Sequence, residues 1–317
     1  MLKELKLKYG LDFLENVPLS DYTSFKVGGP AKYFLEVSNK ADLRKALQAV
    51  VDKKLDYLII GNGSNILVSD DGFDGLVIRL VNGVFQKVGL DVFVFGGFHW
   101  PKFVQAMVNQ KLEGLEFSGN IPGSVGGCVR GNAGAYGKGI GDFVREVEVL
   151  VVGEKEVTLK KLTGEECKFG YRDSIFKKKP NWVIAEASFV LEEEITPSQE
   201  RMKEIIEEGA VRCAKQPLTV SSAGCSFKNV IYTDALSKYK DWEIKGKLPA
   251  AKFIDGAGLK GTKIGGAMIS KEHANFIVNM GEARATDIEE LYKLVKERVQ
   301  EKYGVDLEEE VQYVGSF

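Results

Sequence analysis

The chain has 317 residues, 44% of them hydrophobic, which is more than one average domain needs for its core, so we expect two or three domains. Lysine and arginine (43) nearly balance aspartate and glutamate (45), and the formal net charge of -2 gives no reason to expect a nucleic acid or a membrane surface as partner. The charged N-terminal segment and the lack of an apolar run of ~20 residues predict a soluble, cytoplasmic protein.

The first two thirds of the chain read as α+β with much strand. Residues 41–54 carry apolar side chains at helical spacing, and the short apolar run YLII follows them, which predicts a helix and then a strand. The later runs GLVIRL, VFVFGG, VREVEVLVVG and WVIAEASFVLEEE are rich in β-branched and aromatic residues and are bounded by Gly, Asn or Pro. The helices between these predicted strands are few and short.

The C-terminal third is more helical. Residues 199–215 have a charged helical pattern, and a long helix is expected from about Thr286 to Tyr303. This helix is predicted to open with a capping box of Thr286 and Glu289 and to close at Gly304. Its apolar face belongs to the core and consists of Ile288, Leu291, Val295 and Val299. A final strand is expected around residues 311–314.

Three glycine-dense stretches stand out at residues 27–31, 61–75 and 118–137. Glycine lets backbone N–H groups approach a ligand oxygen, so such loops can hold a pyrophosphate. None of the three has the spacing of a P-loop or of a Rossmann dinucleotide fingerprint, which excludes both of those folds. Each loop alone is also compatible with a tight turn at the corner of a sheet. Composition therefore indicates a nucleotide or flavin pocket without choosing between them.

Few residues offer chemistry. The four cysteines lie far apart and form no C-x-x-C pair, and the only histidines in the sequence are His99 and His273. We therefore expect free thiols and no metal site. The polar candidates are Arg172, Arg212, Lys215, Cys225, Lys228, Asn229 and Glu310. Arg212 and Lys215, at i and i+3, share a helix face and suit one diphosphate, although a solvated helix face is the simpler reading. Each thiol, Cys225 included, is by default an inert core residue.

In order along the chain, a series of short motifs resembles the UDP-N-acetylenolpyruvoylglucosamine reductase family. The motifs are NVPLSDYTSFKVGGPA, GNGSNILV, IPGSVGG, NAGAYG, YRDSIF, FKN, GLKG, HANFIVN and LEEEV. The resemblance implies an α+β protein, with a two-subdomain FAD-binding fold of the PCMH (vanillyl-alcohol oxidase) type and a C-terminal α+β substrate-binding domain. We expect subdomain 1 at residues 1–80 with 300–317, subdomain 2 at 81–203, and the UDP-sugar domain at 204–299. The segment after Asn229 is longer than is usual in the family.

The resemblance also implies an activity. NADPH reduces bound FAD, and the hydride then passes to the enolpyruvyl ether of a UDP-sugar, giving UDP-N-acetylmuramate for peptidoglycan synthesis. The partners expected are thus small molecules only: FAD as bound cofactor, NADPH and the UDP-sugar. Residues matched to the family's FAD contacts are Gly61, Asn62, Gly63, Ser64, Asn65, Ile121, Pro122, Gly123, Ser124, Gly126, Gly127, Asn132 and Gly134. Those matched to substrate contacts are Tyr136, Arg212, Lys215, Lys228, Asn229, Lys260 and His273.

Three residues match catalytic positions of the family: Arg172, Cys225 and Glu310. Negative charge develops on the substrate beside its carboxylate, and the resemblance gives Arg172 and Glu310 the task of stabilising it. A bare carboxylate would oppose that charge, so Glu310 has to donate a hydrogen bond or act through a water. The proton donor of the family is usually serine, and Cys225 stands in its place. A thiol is the stronger acid, with a reference pKa of about 8.5, so the exchange is expected to preserve function.

Two other functions remain open on the sequence. A flavin oxidase of the same fold would use dioxygen and would not need Arg172 together with Cys225. A nucleotide-sugar binding protein without redox chemistry would need no proton donor at all, and the presence of Arg172, Cys225 and Glu310 argues against it.

Overall fold

The computed structural model describes residues 2–317, and it is a mixture of helices with many short strands. Helices α1 to α8 run over Leu2–Tyr9, Lys40–Lys53, Trp100–Asn109, Val125–Gly131, Ile175–Lys178, Ser198–Lys215, Ala250–Gly256 and Ala285–Tyr303. Strands β1 to β10 run over Leu14–Pro18, Pro30–Val37, Tyr57–Ile60, Ile66–Val68, Phe73–Leu80, Phe85–Val88, Asp91–Phe95, Leu112–Glu113, Gly134–Ala135 and Lys138–Gly139. Strands β11 to β20 run over Val144–Val152, Val157–Thr163, Trp182–Val190, Glu192–Glu193, Val230–Ile231, Lys247–Leu248, Lys263–Ile264, Ala267–Ile269, Ile277–Asn279 and Gln312–Val314.

The described chain divides into two compact units. Of the described residues, unit 1 contains 2–17, 31–62 and 74–210, and unit 2 contains 18–30, 63–73 and 211–317. Across residues 2–317, no helix combines the length and the apolar character that a bilayer crossing requires. The three-domain division expected from the sequence, with boundaries at 80, 203 and 299, stays a prediction.

Unit 1 contains two main sheets. One has the order β1-β2-β5-β3, in which β3 and β5 run parallel, and the other is antiparallel with the order β12-β11-β13-β7-β6. The predicted first helix and strand are confirmed as α2 and β3. Asn39 caps α2 by accepting a hydrogen bond of 2.9 Å from the Asp42 amide, and Lys54 closes the helix in the left-handed conformation.

Unit 2 has a core built around α7, α8 and the antiparallel sheet β17-β18-β19, and it also contains a parallel pair of β4 and β20. The predicted long helix is confirmed as α8, and its four predicted core residues are all at most 1% exposed. The predicted capping box is wrong. Helix α8 begins at Ala285, and Asp287 rather than Glu289 reaches back, accepting a bond of 3.0 Å from the Arg284 amide.

The reason lies far away in sequence. Asp70, in the loop after β4, accepts hydrogen bonds from the Ala285 amide (2.8 Å) and from the Thr286 amide and hydroxyl (3.2 Å each). This carboxylate accepts hydrogen bonds from backbone donors of the first turn that have no partner within the helix, and its negative charge interacts favourably with the positive end of the helix dipole. Thr286 is therefore inside the helix and serves as a donor to the cap.

The long segment after Asn229 packs as an aromatic cover on unit 2. It forms the β15–β16 hairpin and brings Tyr239 and Trp242, stacked at 5.2 Å, against Phe253 of α7. Tyr303, at the end of α8, meets the same rings edge-on, and its carbonyl accepts a bond of 3.3 Å from the Tyr239 hydroxyl. The insertion thus packs against Tyr303, which is partly buried at the C-terminal end of α8.

Candidate active site

Two of the predicted cofactor loops meet in unit 1. A Cβ on Gly61 would lie 2.1 Å from the Ser124 hydroxyl oxygen, so only glycine fits where the two loops touch. The Asn62 side-chain amide donates a bond of 3.3 Å to the carbonyl of Gly123 and holds the loops together. Sequence reasoning expected both stretches at one cofactor, and the fold places them side by side.

Helix α4 begins at the second of these loops. Ser124 caps it, its hydroxyl accepting from the Gly127 amide at 3.3 Å. The Gly126 amide is bound to the Gly96 carbonyl at 2.8 Å, and an added Cβ on Gly126 would lie 3.2 Å from that same oxygen. Gly126 therefore serves close packing of α4 on the sheet, while Gly127 is exposed at the helix start.

The remaining part of the first loop belongs to unit 2. Gly63 has a φ of 59°, and a Cβ there would lie 2.0 Å from the Tyr22 carbonyl oxygen. The Ser24 amide donates to the Gly63 carbonyl at 3.0 Å. Within unit 1, residues 61–62 and 121–127 include no acid and offer amide, hydroxyl and backbone N–H donors. A donor set of this kind fits the pyrophosphate of FAD.

Arg172 is held in a strained turn of unit 1. Its φ is 54°, a left-handed conformation that costs an ordinary residue about 1 kcal/mol. Gly170 and Asp173 close the turn by exchanging backbone bonds of 3.0 and 3.2 Å. The guanidinium Nη1 donates to the Gly134 carbonyl at 2.9 Å, so the motifs NAGAYG and YRDSIF meet in space.

The hairpin of β9 and β10 lies beside this turn, and two further predicted residues, Asn132 and Tyr136, belong to the same region. The Asn132 side chain donates to the Gly170 carbonyl at 2.7 Å and accepts from the Gly141 amide at 2.9 Å, which ties the Arg172 turn to α4. Strands β9 and β10 are joined by Tyr136 and Gly137, both with positive φ, in the manner of a two-residue hairpin turn. Tyr136 lies 55% exposed at the tip, where it is accessible to a ligand.

Cys225 and Ser226 lie side by side in unit 2 but in different surroundings. Ser226 is 2% exposed, and its hydroxyl accepts a bond of 3.2 Å from the Ile277 amide. Cys225 follows Gly224, which has a φ of 80°, and is half-buried against Phe276 and its apolar neighbours. The serine hydroxyl is thus committed to the fold, and the thiol is the more accessible group.

Glu310 lies two residues before β20, which begins at Gln312. Its amide donates to the Ser226 carbonyl at 2.9 Å, and Phe227 pairs with Glu309 in an antiparallel bridge. The segment carrying Glu310 therefore runs alongside the segment carrying Cys225. Unit 2 brings two of the three predicted catalytic residues onto adjacent stretches of backbone.

Most of the predicted substrate-binding side chains of unit 2 have partners within it. Lys228 pairs with Glu308, and Lys260 pairs with Asp255 at 3.0 Å. Asn229 accepts a bond of 3.2 Å from the Ala250 amide at the start of α7. Arg212 donates to Gln216 at 3.3 Å, and Lys215 is exposed on the same helix.

His273 is partly buried beside Phe276, with ring centroids 4.9 Å apart. Its Nδ1 accepts a bond of 3.3 Å from the Asn275 amide. Burial lowers the pKa of His273, and the charge of Lys260 lowers it further. The imidazole is therefore neutral near pH 7.

Sequence reasoning missed two residues next to the Cys225 segment. Asn275 holds the backbone of Phe227 on both sides, and it lies within the motif HANFIVN, which could have signalled it. Tyr292 of α8 is fully buried, and burial raises the pKa of its phenol; the Ser226 hydroxyl opposes this, and the charges of Glu309, Glu310 and Cys225 reinforce it. Tyr292 lies on the apolar face of α8, so its spacing marks it as core.

Comparisons with known proteins define the class first. A profile described as FAD binding domain matches residues 31–159, and one described as UDP-N-acetylenolpyruvoylglucosamine reductase, C-terminal domain, matches residues 216–314. Together with the glycine loops, these matches define an FAD-dependent oxidoreductase of α+β fold. The predicted fold class, enzyme class and FAD cofactor are confirmed by them.

Relatives over the whole chain then give the family. The chain is 37% identical to a UDP-N-acetylenolpyruvoylglucosamine reductase of Carboxydothermus hydrogenoformans, covering 99% of this chain and 97% of that one. It is also 37% identical to the reductase of Anoxybacillus flavithermus, over 95% and 94% of the two chains. The crystal structure of the reductase from Thermus caldophilus superposes with a TM-score of 0.74 at 35% identity, covering 96% of this chain and 99% of that chain. The chain belongs to the UDP-N-acetylenolpyruvoylglucosamine reductase family.

Proposed function

We propose that this enzyme uses NADPH to reduce the enolpyruvyl group of UDP-N-acetylglucosamine enolpyruvate, and that Arg172, Cys225 and Glu310 carry the chemistry. The observation that carries this proposal is the hydrogen bond of 2.9 Å from the Glu310 amide to the Ser226 carbonyl. It keeps a carboxyl group and a thiol on neighbouring segments, as the second half of the reaction needs. FAD, when bound, supplies the hydride that it has received from NADPH.

The substrate double bond takes up one hydride and one proton. The hydride adds to the terminal carbon, and the electron pair of the double bond moves onto the neighbouring carbon and its carboxylate. Arg172 binds that carboxylate with a planar guanidinium, which suits two parallel hydrogen bonds. The Gly134 carbonyl and the rigid turn preset its direction, so little reorganisation is needed as charge develops.

Cys225 then gives its proton to the carbon that carries the charge. The S–H bond breaks, a C–H bond forms, and solvent reprotonates the resulting thiolate. The alternative donor, Ser226, has its hydroxyl buried against the Ile277 amide, which supports the assignment to the thiol. Glu310 stabilises the enolate through a hydrogen bond donated by its own proton or by a water that it holds.

The proposal also assigns the residues that bind the cofactor and the substrate. The loops at 61–65 and 121–127 hold the FAD pyrophosphate, and the residues of the substrate set hold the UDP-sugar: Tyr136, Arg212, Lys215, Lys228, Asn229, Lys260 and His273. Residues 1–80 with 300–317 and residues 81–203 form the two FAD-binding subdomains, and residues 204–299 the substrate domain. NADPH and a nucleotide sugar both fit a cytoplasmic site of action.

The test separates the two halves of the reaction. Purified protein should be yellow, lose its flavin absorbance on anaerobic addition of NADPH, and regain it on addition of the enolpyruvyl UDP-sugar. Recovery with dioxygen alone, and none with the UDP-sugar, would instead identify a flavin oxidase. A protein that binds no flavin after incubation with FAD would contradict both activities and leave a nucleotide-sugar binding protein.

A further inference from the structure

Asn65 makes two hydrogen bonds to the segment that contains Glu310. Its side-chain Nδ2 donates to the Glu310 carbonyl at 3.0 Å, and its own carbonyl accepts from the Gln312 amide at 3.1 Å. The parallel pairing of β4 with β20 starts at the next residue, where Ile66 stands opposite Gln312. Because the acceptor is a carbonyl oxygen, the amide of Asn65 has to present its nitrogen, and this fixes the orientation of the side chain.

The opposite side of the same segment is fixed as well. The Glu310 amide is bound to the Ser226 carbonyl at 2.9 Å, and the Lys228 amide is bound to the Glu308 carbonyl at 2.8 Å. Ser226 is in turn bound through its amide to the Asn275 carbonyl at 2.7 Å. Both peptide groups of Glu310 are thus held, one by the Cys225 segment and one by Asn65.

The position of Asn65 gives this bond a functional meaning. It is the last residue of the GNGSN motif, whose earlier residues form the loop expected to receive the FAD pyrophosphate. Asn62, in the same motif, points its amide at the other cofactor loop, where it donates to Gly123. Two asparagines three residues apart therefore serve different ends: one joins cofactor loops, and one reaches the carboxyl-bearing segment.

We infer that the Asn65 side chain is a positioning residue that holds Glu310 beside the Cys225 segment, and that ordering of the GNGSN loop by FAD is passed to Glu310 through it. This rests on the proposed function for the role of Glu310. The side chain of Asn65 is then no cofactor ligand, although its backbone is free to contact the pyrophosphate. Removing the amide should leave the flavin in place and misplace the carboxyl group.

The test compares Asn65→Ala and Asn65→Asp with Asn62→Ala as the matched control. An aspartate at 65 keeps the shape but turns a donor into an acceptor facing the Glu310 carbonyl. For both Asn65 variants, we expect FAD affinity and flavin reduction by NADPH within about two-fold of wild type. Flavin reoxidation by the enolpyruvyl substrate should fall about ten-fold or more, the effect of one lost hydrogen bond. Asn62→Ala should instead weaken FAD binding, which distinguishes the contact between the cofactor loops from the contact to Glu310.

A readout independent of turnover is amide hydrogen exchange in residues 308–314. FAD should slow exchange there in wild type and in Asn62→Ala, but not in Asn65→Ala. The inference is overturned if Asn65→Asp loses FAD while the FAD-saturated enzyme reoxidises normally, or if FAD protects residues 308–314 equally in Asn65→Ala. The proposed function fails separately, through a wild-type protein that is reduced by NADPH but is not reoxidised by the UDP-sugar.

Discussion

Asn275 grips the backbone of Phe227 by two hydrogen bonds. The Phe227 amide donates to Oδ1 at 2.9 Å, and Nδ2 donates to the Phe227 carbonyl at 2.8 Å, with Asn275 itself 3% exposed. The two residues before Phe227 differ in exposure: Ser226 is 2% exposed, whereas Cys225 is half-buried.

The first prediction concerns that pair. Cys225→Ala should retain flavin reduction by NADPH but lose about 10²- to 10⁴-fold in reoxidation by the enolpyruvyl substrate, the usual contribution of a general acid. Cys225→Ser should recover much of this loss. Ser226→Ala, the control, should lower the free energy of unfolding by about 1 kcal/mol because the Ile277 amide loses its acceptor. Stopped-flow absorbance of the flavin measures both half-reactions, and slow reoxidation in Ser226→Ala alone would move the donor by one residue.

The second prediction is a pH limb that depends on the thiol. A thiol loses its proton within the range accessible to assays, whereas a serine hydroxyl does not. Because the proton donor has to be protonated, reoxidation in wild type should be constant at lower pH and fall as the thiol ionises. In Cys225→Ser this alkaline limb should be absent. Single-turnover rates from pH 6 to 10 would decide it, and an unchanged limb in the serine variant would assign the titration to another group.

The third prediction concerns Arg172. Arg172→Lys keeps the positive charge but loses the planar fork and the bond to the Gly134 carbonyl. Reoxidation should slow by about 10²-fold, as when a single preorganised donor is removed, and reduction by NADPH should be unaffected. Arg145→Lys is a suitable control because Arg145 is 58% exposed in a surface pair with Asp91. Equal effects of the two substitutions would remove Arg172 from the site.

The fourth prediction is that the cysteines differ in reactivity. Burial raises the pKa of Cys128 and of Cys167 to about 12, so neither should be modified by iodoacetamide at pH 8. Cys213 is exposed and Cys225 half-buried, and both should react. Modification should stop flavin reoxidation in wild type and in Cys213→Ser, but not in Cys225→Ser. Mass spectrometry of the labelled peptides shows which thiols have reacted.

The fifth prediction is a loss of stability in mild acid that comes from the histidines. Burial lowers the pKa of His99 and of His273, with Lys102 and Lys260 adding to the effect. The unfolded chain takes up protons at about pH 6.5, while the folded chain does so only at lower pH. The contribution to stability is thus complete above pH 6.5 and is lost as the pH falls. His273→Gln should show a smaller drop in Tm between pH 7.5 and 5.5 than wild type; an equal drop would contradict the prediction.

Local signals in the sequence were enough for the elements that depend on local spacing. Periodicity and capping within a few residues were enough to predict the apolar face of α8, its end at Gly304, and the succession of helix α2 and strand β3. The predicted capping box of α8 was wrong because the carboxylate of Asp70, from another part of the chain, binds the first turn. A contact between residues so far apart in sequence cannot be predicted from the local pattern of a single sequence.

The site divides in the same way. The glycine loops could be identified by composition, but their meeting at Gly61 and Ser124 requires the fold. Cys225 gained its role only from the motif around it, since a lone thiol in a turn carries no signal. The hold of Asn65 on Glu310 was invisible because an asparagine in a glycine loop reads as part of the loop.

The parallel pair of β4 and β20 has a consequence for biosynthesis. Residues 66–68 leave the ribosome early, whereas the residues that pair with them, 312–314, are synthesised much later. Unit 1 uses nothing beyond residue 210, so its segments can pair while translation continues. Unit 2 has to wait, and a contact so distant in sequence forms slowly. Until residues 312–314 have been synthesised, a nascent chain should therefore have unit 1 assembled and β4 as an unpaired strand, the stage at which a chaperone has most to protect.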